Sequence, residues 1–318
     1  MLKKEEEEEN QQHNTTSMNT TTKSIIKSIV LSGGGPLGLI MYGILRESNK
    51  DGLWNIQELE TIYGTSIGSI CAVIIALNYE WDILNEYIIN RPWHHVFKWN
   101  MYSLINAIPQ KGIFDKQIII ELFKPLFYGK DISMDITMID FYKKTNIELH
   151  FYTTEINCVT TREVDISYIT HPEWKIIDAV YASSCLPILF SPLQTENEYF
   201  IDGGIYNNYP IQESYQKYKH MNESIFGIKT ELHSPSFDDS TTFIKQFNEF
   251  NIFDFLLFVI TKMWPKMKSK LIDNEITIKN TGNFLVTLHN VISSKDERLL
   301  LINQGVLLWK TNIDIMKL

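Results

Sequence analysis

Apolar positions are all but missing from the start of this chain and then arrive in short blocks. Lys3 and Lys4 precede Glu5 to Glu9, and a polar stretch continues through Gln11, Asn14, Thr15 and Thr22. Such a segment buries too little surface to offset chain entropy, so residues 1–24 are expected to form a disordered acidic and polar tail. The pattern then changes. Ile25-Ile26-Lys27-Ser28-Ile29-Val30-Leu31 predicts a strand. Leu37, Ile40, Met41, Ile44 and Leu45 recur at helical spacing, with Gly52 as a stop. Leu59-Glu60-Thr61-Ile62-Tyr63 is rich in β-formers, and the almost wholly apolar run from Ser69 to Leu77 predicts a helix. No internal repeat and no Pro/Gly-rich linker interrupts the chain after the tail, so residues 25–318 are expected to form a single domain.

A glycine cluster separates each of these strands from its helix. In Gly64-Thr65-Ser66-Ile67-Gly68 the glycines permit a tight turn that holds a serine hydroxyl exposed at a helix N-terminus, where partial positive charge favours a developing anion. The pentapeptide alone also arises by chance or at a helix-packing site. Its strand-turn-helix setting favours a nucleophile. The earlier cluster, Ser32-Gly33-Gly34-Gly35-Pro36-Leu37-Gly38, offers backbone N–H groups at a second helix end, with Pro36 placed for a first turn. Gly33, Gly35 and Gly38 satisfy the dinucleotide fingerprint, but that reading needs an acidic residue ending the second strand, and Glu58 and Glu60 lie at its start instead. An oxyanion hole facing Ser66 is the preferred alternative.

Composition narrows the partners. A net charge of −9 with no basic stripe argues against nucleic acid. The longest apolar runs, Ile67–Leu77 and Phe253–Ile260, are too short to span a bilayer, and neither a signal peptide nor a lipidation pattern is present. Cys71, Cys158 and Cys185 are widely spaced among apolar residues and read as core thiols of a reducing compartment, so a cytoplasmic protein is expected. No cofactor and no metal are expected, and no Asp/Asn cluster suggests calcium.

The eight histidines (His13, His94, His95, His150, His171, His220, His233 and His289) occupy no motif typical of a triad and read as ordinary surface or core residues. Asp202 ends the apolar stretch Tyr199-Phe200-Ile201 and is followed by Gly203 and Gly204. It is either a β-turn aspartate or a strand-end catalytic carboxylate. Two segments could touch a lipid surface. Arg91 to Trp99 mixes aromatic and basic residues, and Phe253–Ile260, with Lys262, Trp264 and Lys266 after it, could form a lid or docking helix; ordinary core packing is the competing reading for both.

Taken in order, Gly33-Gly34-Gly35-Pro36-Leu37-Gly38, Gly64-Thr65-Ser66-Ile67-Gly68 and Asp202-Gly203-Gly204 resemble the three signatures of the patatin-like phospholipases. Ala182-Ser183-Ser184-Cys185-Leu186-Pro187 with Phe190 and Pro192, and Asn208 with Pro210, resemble further family blocks, as do Gly112-Ile113-Phe114-Asp115 and Thr153-Thr154-Glu155 more faintly. The resemblance implies an α/β fold, a three-layer α/β/α sandwich around a mostly parallel sheet. It also implies a Ser66–Asp202 dyad that works without histidine, an oxyanion hole from Gly34 and Gly35, and a lipid ester substrate met at a membrane surface. Leu37 stands where the family commonly carries arginine or lysine. A catalytically weak lipid-binding or interaction protein on the same fold is therefore the alternative.

Overall fold

Three adjacent strands, Ser28–Leu31, Thr61–Thr65 and Glu148–Glu155, are buried along their whole length, as expected for a sheet covered on both faces. The computed structural model describes residues 25–98, 107–219, 221–232, 272–280 and 283–313, together with Leu256 and Val259. In chain order the strands are β1 (Ser28–Leu31), β2 (Thr61–Thr65), β3 (Gly112–Phe114), β4 (Glu148–Glu155) and β5 (Arg162–Ile166), then β6 (Ile188–Phe190), β7 (Leu193–Gln194), β8 (Tyr199–Asp202), β9 (Ile225–Leu232) and β10 (Asn274–Asn280). The helices are α1 (Gly38–Lys50), α2 (Ile67–Ala76), α3 (Trp81–Asn90), α4 (Gln117–Tyr128) and α5 (Met138–Thr145), then α6 (Ile176–Ser184), α7 (Ile211–Lys217), α8 (Phe284–Ser293) and α9 (Lys295–Asn312).

The main sheet runs β10-β9-β1-β2-β4-β8-β7, with β5 also paired to β4. From β10 to β4 every pairing is parallel, and β5, β8 and β7 join antiparallel. A separate parallel pair joins β3 to β6. The side chains of β1 divide by the two-residue period of a strand. Ile29 and Leu31 enter the larger core with α1, α2 and α9. Val30 enters a smaller one on the other face with Tyr63, Tyr152, Tyr209 and Ile211 of α7. Helices therefore cover both faces of a mixed sheet, the α/β/α sandwich expected.

Register positions the chemistry. Leu31 at the end of β1 pairs with Gly64 near the end of β2, so the two glycine turns leave adjacent parallel strands at one level. That carboxyl edge is where open α/β sheets bind their ligands.

The strand before the first glycine cluster is shorter than its apolar stretch and begins at Ser28; β2 runs two residues further than the β-formers suggest, to Thr65. Gly52, with φ +74°, comes after the end of α1 as the expected stop. Cys71 and Cys185 are core thiols, but Cys158 is not. It sits in the turn after β4 beside a fully exposed Val159, because its apolar neighbours belong to a loop and not to a packed element. In the Arg91–Trp99 segment, Trp93 is buried and donates its ring N–H to Ile88 O at 2.8 Å. Arg91 stacks over Tyr87 and Trp93, so the start of the segment packs inward, whereas His94, His95 and Lys98 are exposed. Trp99, the tail of residues 1–24, and the Phe253–Ile260 stretch with Lys262, Trp264 and Lys266 lie outside the described residues, Leu256 and Val259 excepted.

Candidate active site

Close backbone contacts set the turn between β2 and α2. A Cβ added to Gly64 would lie 2.7 Å from the carbonyl carbon of Gly68, and one on Gly68 would lie 2.4 Å from Leu31 O. Only glycine fits where backbone passes backbone so closely. At the apex Ser66 adopts φ 55° and ψ −123°, a sparsely populated conformation that persists only where its surroundings over-determine it. Here they do. Ser66 N–H donates to Ser183 Oγ at 3.0 Å, and that hydroxyl donates to Tyr152 O at 2.7 Å. Ser66 O accepts from the hydroxyl and the N–H of Ser69, at 2.6 and 2.9 Å.

Strand β4 brings Asp202 to this serine. Its residue Tyr152 pairs with Thr65, the last residue of β2, and the next residue, Thr153, pairs with Asp202, the last of β8. Consecutive positions of one strand thus hold the two strand ends close together. Ser66 Oγ donates to Asp202 Oδ2 at 2.6 Å, and Gly204 N–H donates to Asp202 Oδ1 at 2.7 Å. The backbone of Asp202 is fixed as well, its N–H by Cys185 O at 3.1 Å and its carbonyl by the Thr154 hydroxyl at 3.1 Å. Asp202 is 2% exposed. Burial pushes its carboxyl from 3.8 up to about 6, with the hydrogen bonds from Ser66 and Gly204 opposing the rise. A carboxyl with that affinity can accept a proton and return it near neutral pH.

The first glycine loop closes over the same place. A Cβ on Gly33 would be 3.1 Å from Ser66 Cβ, and one on Gly38 would be 2.1 Å from Ile67 Cγ1, so the loop packs directly on the start of α2. Gly35 has φ +54°, and a Cβ there would meet Phe284 Cε2 at 2.3 Å. Among the described residues, neither Gly34 N–H nor Gly35 N–H donates to another group. Both glycines line one cavity with Ser66 and Asp202. That cavity, of about 210 Å³, is walled by apolar side chains such as Ile70, Ile74, Ile119, Leu122, Phe97 and Leu288.

The glycines of the three signatures therefore collect around Ser66 and Asp202. The described histidines do not. His150 is buried between Glu148 and Asp165, with its nitrogens 2.7 and 2.8 Å from their oxygens, and stacks on Tyr63. Burial opposes its charged form, but the two carboxylates outweigh that and raise its pKa. His94, His95 and His289 are exposed, and among the described residues no histidine bonds Ser66 or Asp202 or lines the cavity. His13, His220 and His233 lie outside the described residues. Ser183 and Thr154 brace the pair, yet the sequence gives them no function beyond their place in motif-like blocks.

The patatin-like phospholipase family model matches residues 29–215, more than half of the chain. A protein of Invertebrate iridescent virus 6 named "Probable lipid hydrolase 463L" is 28% identical over 188 residues, covering 58% of this chain and 62% of that protein. An uncharacterised protein of Acanthamoeba polyphaga mimivirus is 27% identical over 186 residues, covering 58% of this chain and 60% of its own length. The chain thus spans about three fifths of these curated relatives. Among solved structures, VipD from Legionella pneumophila is similar over 88% of this chain and 67% of its own, with 18% identity and a TM-score of 0.44. The chain belongs to the patatin-like phospholipase family.

Proposed function

We propose that this member of the patatin-like phospholipase family is a lipid acyl hydrolase of the phospholipase or lysophospholipase type, acting through a Ser66–Asp202 dyad and an acyl-enzyme. The observation that carries the reading is the 2.6 Å hydrogen bond from Ser66 Oγ to a buried Asp202 carboxylate at one apolar cavity. As Ser66 Oγ attacks the ester carbonyl, its proton passes to Asp202 Oδ2. The carbonyl oxygen gains negative charge and is met by the N–H groups of Gly34 and Gly35. Collapse of the tetrahedral intermediate breaks the ester C–O bond, and Asp202 protonates the departing alcohol. Water then repeats the sequence on the acyl-enzyme: Asp202 takes its proton, returns that proton to Ser66 Oγ, and the fatty acid leaves.

The acyl chain occupies the cavity beside α2. Long-chain esters presented at a lipid surface are the substrates that such a lining suits. Among the described residues no helix is long and apolar enough to cross a membrane, so contact with that surface is peripheral in this reading. A cytoplasmic setting is proposed from the thiols of Cys71 and Cys185.

Leu37 favours a second reading, a weakly active lipid-binding protein, because its buried side chain brings no cation to the glycine loop. One experiment separates the two. Wild-type protein should be labelled by a fluorophosphonate and hydrolyse a p-nitrophenyl ester. Ser66→Ala should fold, escape labelling and lose about 10⁴-fold or more in turnover. Labelling of a folded Ser66→Ala protein would remove the hydrolase mechanism, and an unlabelled wild type would favour the second reading.

A further inference from the structure

We infer that Thr230, on β9, is a positioning residue for the glycine loop: its hydroxyl, backed by Ser32 and joined by Asn208, orients and polarises the peptide that carries the Gly34 N–H. The inference rests on the proposal that this N–H meets the oxyanion, and it adds a residue that neither the glycine signatures nor the dyad contains.

The geometry is that of one peptide gripped from behind. The Gly33 carbonyl and the Gly34 N–H belong to the same planar trans unit, so they point in opposite directions and turn together. Thr230 Oγ1 donates to Gly33 O. Asn208 Nδ2 donates to the same oxygen at 3.4 Å, and Gly33 N–H donates to Asn208 O at 3.0 Å. Behind Thr230 stands Ser32, whose Oγ lies 3.1 Å from Thr230 Oγ1 and accepts from Thr230 N–H at 2.8 Å. Ser32 O–H donates to Gly33 O as well, at 3.0 Å, so both hydroxyls converge on that oxygen. A directed chain results, Thr230 N–H to Ser32 Oγ and Ser32 O–H to Gly33 O, with Thr230 O–H as a further donor to the same oxygen.

Burial gives this chain its effect. Ser32 and Thr230 are 0% and 2% exposed, and Asn208 is 5% exposed. Water cannot replace a missing member without opening the loop, and hydrogen bonds in series strengthen one another by about 10–30% each in such surroundings. Donors crowded onto Gly33 O draw electron density toward it and make Gly34 N–H a stronger donor on the opposite side. The side chain also sets position, since a Cβ on Gly34 would lie 2.7 Å from Thr230 Cγ2. The sheet itself anchors the arrangement: β9 pairs with β1 in parallel, with Leu31 opposite Ile228, so Thr230 lies just beyond the strand end from which the loop departs.

Orienting a donor matters less than possessing it. Complete loss of one oxyanion donor lowers turnover by about 10²–10³-fold. Ser32 O–H still donates to Gly33 O when the Thr230 hydroxyl is gone and compensates in part. Thr230→Val should therefore lower kcat for p-nitrophenyl decanoate by roughly 10-fold, and the Ser32→Ala/Thr230→Val pair should approach about 10²-fold. KM should stay within about twofold in both, because the interaction strengthens only as charge develops. Thr230→Ser, which keeps the hydroxyl, should retain most of the wild-type kcat, and fluorophosphonate labelling should slow in parallel with kcat across the set. Wild-type turnover in Thr230→Val would overturn the inference. So would an equal loss in Thr230→Ser, which would assign the effect to the methyl group, or a change confined to KM. If Thr230→Val does not fold, the smaller Thr230→Ala removes the same hydroxyl and replaces it in each comparison. Failure of the underlying mechanism has a different signature: Ser66→Ala, measured alongside, would then keep its activity whatever the Thr230 variants do.

Discussion

Asp202→Asn should abolish esterase turnover and yet stabilise the protein at neutral pH. Burial raises the Asp202 carboxyl from 3.8 to about 6, so the folded protein holds this proton more tightly than the unfolded chain does. Between those two values the native state binds more protons than the unfolded state, and stability falls as pH rises. Above about pH 6 the whole penalty is in force, and a gap of about two pKa units corresponds to on the order of 3 kcal/mol. Asparagine has no charge to desolvate. Its carbonyl oxygen can accept from Gly204 N–H, and its NH₂ can donate to Ser66 Oγ, so both contacts of the carboxylate survive. What is lost, in the proposed mechanism, is the base, because Ser66 has become the acceptor.

The stability gain converts to a rise in Tm of roughly 5–10 °C at pH 8 for a domain of this size. It should shrink to about 1 kcal/mol at pH 4.5, where wild-type Asp202 is protonated in the folded state. Thermal melts of both proteins from pH 4.5 to 8 measure it. In parallel, wild-type kcat/KM should rise with pH through about 6, since only the ionised carboxylate can take the Ser66 proton. An Asn variant that melts at or below wild type at pH 8, or a difference in Tm indifferent to pH, would refute the reasoning from burial. A kcat/KM midpoint near pH 4 would refute it independently.

Gly35→Ala meets two obstacles, a φ of +54° and Phe284 Cε2 at 2.3 Å from the new methyl; turnover should fall by about 10²–10³-fold as the loop shifts, while a thermal-shift titration with NAD(P) should show no binding in either protein. His94→Ala, His95→Ala and His289→Ala should each keep at least half of the wild-type kcat, as expected of exposed side chains outside the cavity, and a folded variant as inactive as Ser66→Ala would replace the dyad by a triad. Ile74 lines the cavity on α2, about 10 Å along the helix axis from Ile67. Ile74→Trp should leave hydrolysis of p-nitrophenyl acetate nearly unchanged and lower that of a long-chain ester by at least 10-fold, which a chain-length series measures.

The sequence made the two glycine turns readable because each is built from contiguous residues: Gly64 and Gly68 are required by contacts within five residues and with the neighbouring strand, and Gly35 by its own φ. The pairing of Ser66 with Asp202 is of another kind. It depends on β4 presenting Tyr152 to β2 and Thr153 to β8, a register that no local pattern around either residue encodes. From its own segment Asp202 is as good a turn aspartate as a catalytic one, and only the resemblance joined it to the serine. Thr230 carries less signal still, since a threonine in a β-rich stretch looks like ordinary strand material. The misplaced inference at Cys158 has the same root. Ile156 and Val159 are apolar, but they come after the end of β4 and face outward, so apolar company in sequence was not apolar company in space. At Arg91 and Trp93 the side-chain types that anchor a protein at an interface are also those that stack a guanidinium on rings inside it, and composition cannot distinguish the two. What the sequence conceals here is pairing across the sheet. The further the chemistry depends on β4 and β9, the more it must be tested by exchanging hydroxyls and carboxyls at constant shape, as Thr230→Val and Asp202→Asn do.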